Sequence, residues 1–215
     1  ALPILSFCEF TTVTDAKFVG LKNYLRVFSD PTFMHALWFT ALFTIVSVLT
    51  INVFAFVIAM LLTKGIKGTN FFRTVFFMPN LIGGIVLGYI WQILLNGILG
   101  HFGRTLTYSS SYGFWGLIIL MNWQQVGYMM IIYIAGIQNI PGELIEAAKM
   151  DGASNWQLLK SVTIPMVMPS ITICTFLTLT NSFKLFDQNL ALTAGEPSNN
   201  SQMLALNIFE TFYGR

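Results

Sequence analysis

Long stretches without a charged side chain restrict the fold of this chain more than any other feature. Asp, Glu, Lys and Arg are all absent from Pro31 to Thr63, Thr74 to Gly103, Thr105 to Gly142 and Ser161 to Phe183. A helix of about 20 apolar residues crosses the roughly 30 Å hydrocarbon core of a bilayer. The gaps therefore predict four membrane-spanning segments, at about Ala36–Leu62, Val75–Ile98, Phe114–Gln138 and Val162–Phe183.

The spans are predicted to be helices rather than strands of a β-barrel. Barrel strands alternate in polarity over about ten residues, whereas the stretch from Phe54 to Leu62 is apolar on every face. The polar, turn-like segment from Thr107 to Gly113 predicts an exposed loop before the third span. We therefore expect an all-α fold, a polytopic transmembrane helical bundle with four complete spans.

Composition excludes several classes of function. Only 9% of the residues are charged, against roughly 25% in an average soluble domain. So few charged residues cannot cover the surface of a soluble fold. The net charge of +2 is too balanced for a nucleic-acid-binding surface. Cys8 and Cys174 are interpreted as small buried apolar residues rather than a disulfide. His35 and His101 stand alone near span ends, so we expect no metal site, no cofactor and no catalytic residues.

The two ends of the chain bear on the extent of the domain, and its basic residues bear on its orientation in the membrane. Leu2–Phe7 resembles the exit of an earlier span, and the segment from Ser201 stops where another apolar stretch could begin. We expect residues 1–215 to be a single transmembrane domain cut at both ends from a longer protein. Lys and Arg are divided evenly between the two sides of the predicted membrane span, so their overall distribution does not set the orientation. The Lys64–Arg73 turn, however, has three basic residues and no acidic one, and basic residues are enriched in cytoplasmic loops. We therefore expect this turn to be cytoplasmic.

The segment from Ile140 to Ser170 departs from the apolar pattern. It carries the five charged residues Glu143, Glu146, Lys149, Asp151 and Lys160. Each would cost about 2.5–3.5 kcal/mol at mid-membrane, so the segment is expected at the water boundary.

Helix-ending and helix-starting signals divide this segment in two. Pro141-Gly142 ends the preceding helix, and Gly152 is suited to the left-handed position that closes a short helix from Glu143 to Met150. Ser154 and Gln157 have the spacing of a capping box for the helix that follows. The pattern predicts a short amphipathic helix projecting into water, then a second helix entering the membrane.

These residues resemble a known motif. Glu146-Ala147-Ala148, three residues, Gly152, nine residues and Val162-Thr163-Ile164-Pro165 is similar to the EAA loop of ABC importer permeases, E-A-A-x3-G-x9-I-x-L-P, with Val162 and Ile164 as the departures. Three further stretches resemble the sugar-permease branch related to the maltose and glycerol-3-phosphate importers. They are Phe18–Tyr24, Phe72–Pro79 and Leu192–Pro197, the last departing from the family's pattern at Ala194 and Glu196.

The resemblance implies a type I ABC importer permease with about six spans in the parent protein. It places a cytoplasmic coupling loop at about 141–161 and the chain in the inner or plasma membrane of a prokaryote. Implied partners are two cytoplasmic ATPase subunits, a second permease subunit, an extracytoplasmic solute-binding protein and membrane lipid. The chain has no G-x-x-x-x-G-K-[ST] phosphate loop, so ATP hydrolysis is assigned to the ATPase partner.

Two groups of candidate functional residues follow. The ATPase-docking residues are Glu143, Glu146, Ala147, Ala148, Asp151 and Gly152, with an ordinary solvated loop helix as the alternative. The substrate-pathway residues, chosen because lipid disfavours polar groups, are Trp91, Gln92, Asn122, Gln124, Gln125, Tyr128, Thr178, Asn181 and Ser182. Neutral amides, hydroxyls and aromatic faces suit an uncharged sugar or polyol, while interhelical hydrogen bonds, worth about 0.6 kcal/mol each, are the alternative.

Two other classes of membrane protein fit the sequence less well than a permease. A proton-coupled secondary transporter needs an ionisable residue inside a span, and neither Asp nor Glu occurs in the four gaps. Lys184 and Asp187 are interpreted as a solvated i,i+3 pair. A non-transporting structural subunit leaves the projecting charged helix unexplained.

Overall fold

The computed structural model describes residues 2–9, 16–65 and 67–214. Its amino-terminal segment holds α1 (Leu2–Leu5), β1 (Cys8–Glu9), β2 (Lys17–Phe18) and α2 (Lys22–Phe28). The two short strands pair antiparallel, with Cys8 opposite Phe18. An ion pair of 3.3 Å between Lys22 Nζ and Glu9 Oε2 joins β1 to α2. This segment precedes the first long helix.

The first long helix, α3 (Pro31–Leu62), has a start that the sequence explains. The Asp30 side chain accepts a 2.9 Å hydrogen bond from the Thr32 backbone N–H, and Pro31 occupies the first helical turn, where no N–H is needed. Its 32 residues extend about 48 Å, which is longer than the bilayer core. The predicted span Ala36–Leu62 lies entirely within it.

The second predicted span is broken. Thr69–Phe77 forms α4, Met78–Leu81 a 3-10 turn and Gly84–Gly100 α5, and the two arms are bent by 102°. The expectation of one continuous helix over Val75–Ile98 was therefore wrong. Pro79 lacks the N–H that an uninterrupted helix needs, and Gly83-Gly84 lowers the helix propensity of the following turn, so the chain changes direction here.

Helix α6 (Ser110–Gln138) forms the centre of the bundle. It follows a 3-10 turn at Leu106–Tyr108 and begins inside the predicted loop Thr107–Gly113, whose second half is therefore helical rather than exposed loop. Many of the largest fully buried side chains belong to α6: Leu117, Leu120, Met121, Met129, Met130 and Tyr133. At Gly127 the helix approaches α4 so closely that a Cβ would overlap the Phe76 carbonyl oxygen.

The charged segment folds as predicted. Gly142–Met150 forms α7, and Gly152 has φ +77° in the turn that follows. Ser154 and Gln157 form the predicted capping box at the start of α8 (Asn155–Leu158). A π-helical turn at Leu159–Thr163 joins α8 to α9 (Ile164–Phe183), so that one helix runs from Asn155 to Phe183.

Two shorter helices complete the structure, α10 (Asp187–Leu192) and α11 (Leu204–Tyr213). The segment between them is held by Asn189, whose side chain donates to the Ser201 carbonyl and accepts from the Met203 N–H, both at 2.9 Å. His35 Nε2 donates to the Asn200 carbonyl at 3.1 Å, which fixes the same segment to the start of α3. This hydrogen bond gives His35 a structural contact.

The long helices confirm an all-α, polytopic membrane fold. By length and composition, three helices of the described chain are able to cross a membrane, at Pro31–Leu62, Ser110–Gln138 and Asn155–Phe183. The bent pair Thr69–Leu81 and Gly84–Gly100 makes a fourth span if both arms are counted together. Both cysteines are free, Cys174 being buried and Cys8 half-buried.

Candidate functional site

A cavity of about 290 Å³ lies where α9 ends and α10 begins. Its polar lining consists of Gln125 from α6 together with Asn181, Lys184, Asp187 and Gln188. Met121, Leu185 and Phe186 supply apolar walls. The cavity therefore combines amides, two charged groups and apolar surface in one place.

Gln125 is the most informative residue of this cavity. Its side chain is 8% exposed, and its Oε1 atom has no hydrogen-bond partner among the residues that the structure describes. A buried acceptor without a donor costs about 1–3 kcal/mol. An acceptor of this kind beside a cavity is suited to a hydroxyl or N–H donor that enters the cavity.

Lys184 and Asp187 do not form the pair that the sequence suggested. Both are exposed, both line the cavity, and no ion pair joins them. Asp187 lies beside the start of α5, where a Cβ added to Gly84 would be 2.8 Å from the Asp187 Cβ. Lys184 and Asp187 therefore contribute to the cavity lining separately.

Other predicted pathway residues make interhelical hydrogen bonds. Gln188 Nε2 donates to Gln124 Oε1 at 2.8 Å, and Gln124 Nε2 donates to the Ile82 carbonyl at 3.4 Å. Gln92 Nε2 donates to the Leu192 carbonyl at 3.0 Å. These bonds hold α10 against α5 and α6 at the break in the second span.

The predicted cluster from Asn122 to Tyr128 is spread around α6 rather than gathered at one site. Asn122 Nδ2 donates to Thr50 Oγ1 on α3 at 3.0 Å. The Tyr128 ring packs at 6.4 Å from the ring of Phe77. Of the four polar residues grouped by sequence, Gln125 is the one that lines the cavity between α9 and α10.

Trp91 packs its ring 5.6 Å from that of Trp123. The two rings meet edge to face, joining α5 to α6. Trp91 is not among the residues that line the cavity at Gln125.

A second polar network links α3, α6 and α9. Tyr133 donates its hydroxyl to Asn52 Oδ1 at 2.7 Å, and Asn52 Nδ2 donates to Thr178 Oγ1 at 3.4 Å. Ser182 lies one turn after Thr178 and is fully buried, and its Oγ has no partner in the described part of the chain. Asn52 was not singled out from the sequence, although it is the single amide side chain between Pro31 and Leu62.

Helix α7 projects from the bundle with most of its surface exposed. Glu143, Glu146 and Ala147 are exposed, as are Asp151 and Gly152 in the turn after the helix. Ala148 is half-buried, on the side of Ile145, which packs against the core. Met150 is 88% exposed. Carboxylates on an exposed helix are able to accept charge-assisted hydrogen bonds from another protein.

The sequence matches a family of transport proteins over most of its length. Residues 27–214 match the family described as the binding-protein-dependent transport system inner membrane component. This chain belongs to that family and is a transport permease rather than a secondary transporter or a purely structural subunit.

Two named relatives agree with this assignment. The probable starch degradation products transport system permease protein AmyD of Thermoanaerobacterium thermosulfurigenes is 44% identical over 97% of this chain and 74% of the relative. The multiple sugar-binding transport system permease protein MsmF of Streptococcus mutans is 33% identical over 95% and 74%.

One similar solved structure is the crystal structure of a bacterial ABC transporter involved in the import of the acidic polysaccharide alginate. It has a TM-score of 0.77 at 19% identity and covers 92% of this chain and 73% of the other. At that identity it shows the shared fold alone.

Proposed function

We propose that this chain forms the translocation path of an ABC importer for a neutral saccharide or related polyol in the plasma membrane of a prokaryote. The observation that carries the proposal is the cavity at Gln125 and Asn181, with the unpartnered Oε1 of Gln125 beside it. Saccharide hydroxyls donate and accept hydrogen bonds without bringing a charge into the membrane. An amide pair is therefore matched to them.

The solute class is also supported by relatives. The two named relatives carry transport of starch degradation products and of multiple sugars in their names. The mixed lining of the cavity, with Lys184 and Asp187 of opposite sign, adds no net charge that would select an ion. Oligosaccharides of the starch type are therefore the first solutes to test.

The partners are proposed from the surfaces and the family. Helix α7 and the turn at Gly152 dock onto one of two cytoplasmic ATPase subunits, with the Glu146 carboxylate accepting hydrogen bonds from the ATPase. A second permease subunit completes the path. An extracytoplasmic binding protein delivers the solute to the opposite side, as the family's description implies.

A reconstituted complex tests this proposal. The permease pair, the ATPase and the binding protein are placed in proteoliposomes, and ATP hydrolysis is measured with maltooligosaccharides, a polyol or a neutral amino acid as solute. We expect a saccharide or the polyol to stimulate hydrolysis only when the binding protein is present. Stimulation by the amino acid, with no response to any saccharide or polyol, would overturn the assignment of solute class.

A further inference from the structure

A second cavity, of about 380 Å³, lies between the end of α3 and the start of α8. Met60 and Lys64 line it from the α3 side, and Asn155, Trp156 and Leu159 from the other. The apolar helix α3 ends at Leu62, two residues before Lys64, and the continuous helix to Phe183 begins at Asn155. The cavity therefore lies where two membrane-spanning helices meet the water boundary.

The lining of this cavity is amphipathic. Met60, Leu158 and Leu159 form apolar walls, and the lining includes Lys64 but no acidic residue. Lys64 is exposed and forms no ion pair within the described part of the chain. Lysine at the end of a span extends its apolar stem along the helix and holds its ammonium group at the headgroup level.

Trp156 is the aromatic residue of the cavity lining. Its side chain is 69% exposed, although burial of a Trp ring in water-free surroundings is strongly favourable. Trp is enriched at membrane–water boundaries, because its apolar ring lies among lipid and its N–H reaches the headgroups. The exposure of Trp156 is thus explained if lipid surrounds it.

We propose that this cavity binds one anionic phospholipid of the cytoplasmic leaflet. Its phosphate lies beside Lys64 Nζ and the Asn155 amide, and its acyl chains follow Met60 and the exposed side chains of Val57 and Leu61. Basic pockets between spanning helices on this side of a membrane attract anionic headgroups. A small soluble anion would leave the apolar walls in water, whereas a phospholipid covers them.

This site is separate from the sugar cavity. None of its lining residues is a proposed ATPase-docking residue, although Asn155, Trp156, Leu158 and Leu159 belong to the same proposed cytoplasmic coupling loop. The site shares no lining residue with the cavity at Gln125. Failure of the lipid proposal therefore leaves the solute assignment unaffected, and the reverse also holds.

Native mass spectrometry of the whole complex, released from nanodiscs of equal phosphatidylglycerol and phosphatidylcholine, tests the proposal. Wild-type complex should retain phosphatidylglycerol in preference to phosphatidylcholine. Lys64→Gln should reduce that preference about fivefold, the effect of one basic residue near an anionic surface. Lys64→Arg should preserve it, and Lys67→Gln, an exposed residue outside the lining, should leave it unchanged.

Three results would overturn the proposal. One is an absence of lipid preference in the wild type, or a preference that Lys64→Gln does not change. Another is release of the bound molecule by free glycerol phosphate, which would assign the site to a soluble anion. The third is retention by the permease pair alone and loss in the complete complex, which would assign the cavity to the ATPase interface.

Discussion

Gln188 on α10 donates its side-chain amide to Oε1 of Gln124 on α6 across 2.8 Å, and both side chains are buried. Gln124 in turn donates to the carbonyl of Ile82, at the break between α4 and α5. A backbone carbonyl freed by a helix break is costly in lipid unless a neighbouring group bonds to it. The two glutamines therefore stabilise the bend of the second span.

Replacement of Gln188 should lower stability. Gln188→Leu removes the donor and leaves Gln124 Oε1 unpaired in a buried position, which should cost about 1–3 kcal/mol. The midpoint of thermal unfolding of the purified subunit in detergent should fall. Gln138→Leu, which changes an exposed amide at the end of α6, is the control and should leave the midpoint unchanged. Equal midpoints for both variants would contradict the role given to Gln188.

The close approach at Gly127 gives a second stability prediction. In Gly127→Ala the new methyl group would overlap the Phe76 carbonyl, and relief of such overpacking costs typically about 1–3 kcal/mol. Gly97→Ala on α5 is the matched control, because nothing lies within 4 Å of its added Cβ. Membrane abundance and thermal stability should fall for the first variant alone. A Gly127→Ala subunit as stable as wild type would show that α4 is free to move away.

We expect the turn after α7 to be required for the coupling of ATP hydrolysis to solute transport. Gly152 has φ +77°, which a β-branched side chain strongly disfavours. Gly152→Val should reduce transport and solute-stimulated ATP hydrolysis while the subunit still inserts, and Gly152→Asn, which tolerates this conformation better, should retain more of both. Co-purification of the ATPase with full transport in Gly152→Val would remove α7 from the docking surface.

Chemical labelling tests the proposed orientation, in which the Lys64–Arg73 turn is cytoplasmic and the Thr107–Gly113 segment is external. Single cysteines replace Lys67 or Ser111, both exposed, in a background without Cys8 and Cys174. An impermeant thiol reagent applied to intact cells should react at position 111 alone, and permeabilised cells should react at both positions. Labelling at position 67 in intact cells would invert the topology.

Local signals in the sequence were sufficient for α7 and its surroundings. The helix-ending and capping signals here act within a few residues: they are Pro141-Gly142, Gly152 and the Ser154–Gln157 capping box. The turn and the adjacent helix ends are therefore predictable from local sequence. The span of α3 was equally readable, because its apolar run is long and unbroken.

The break in the second span and the directions of the glutamines were not predicted. Hydropathy treats Val75–Ile98 as one apolar stretch, although Pro79 and Gly83-Gly84 disfavour an unbroken helix there. Gln124 and Gln125 are adjacent in sequence but about 100° apart around a helix of 3.6 residues per turn. Which of them meets α10 and which meets a cavity depends on packing between distant segments.

The expected contact between the side chains of Lys184 and Asp187 does not form, for a geometric reason. Spacing of i,i+3 brings side chains together only within one helix. Helix α9 ends at Phe183 and α10 begins at Asp187, so the two residues belong to different elements.

We predict that the amides of Gln125 and Asn181 contact the transported solute. Initial uptake of a labelled saccharide into proteoliposomes tests it, compared for wild type, Gln125→Leu, Asn181→Leu and the control Gln138→Leu. Loss of one hydrogen bond to the solute should weaken apparent affinity about five- to hundredfold, with subunit abundance and solute-independent ATP hydrolysis nearly unchanged. Normal uptake by both cavity variants, with an unaltered solute range, would contradict this account.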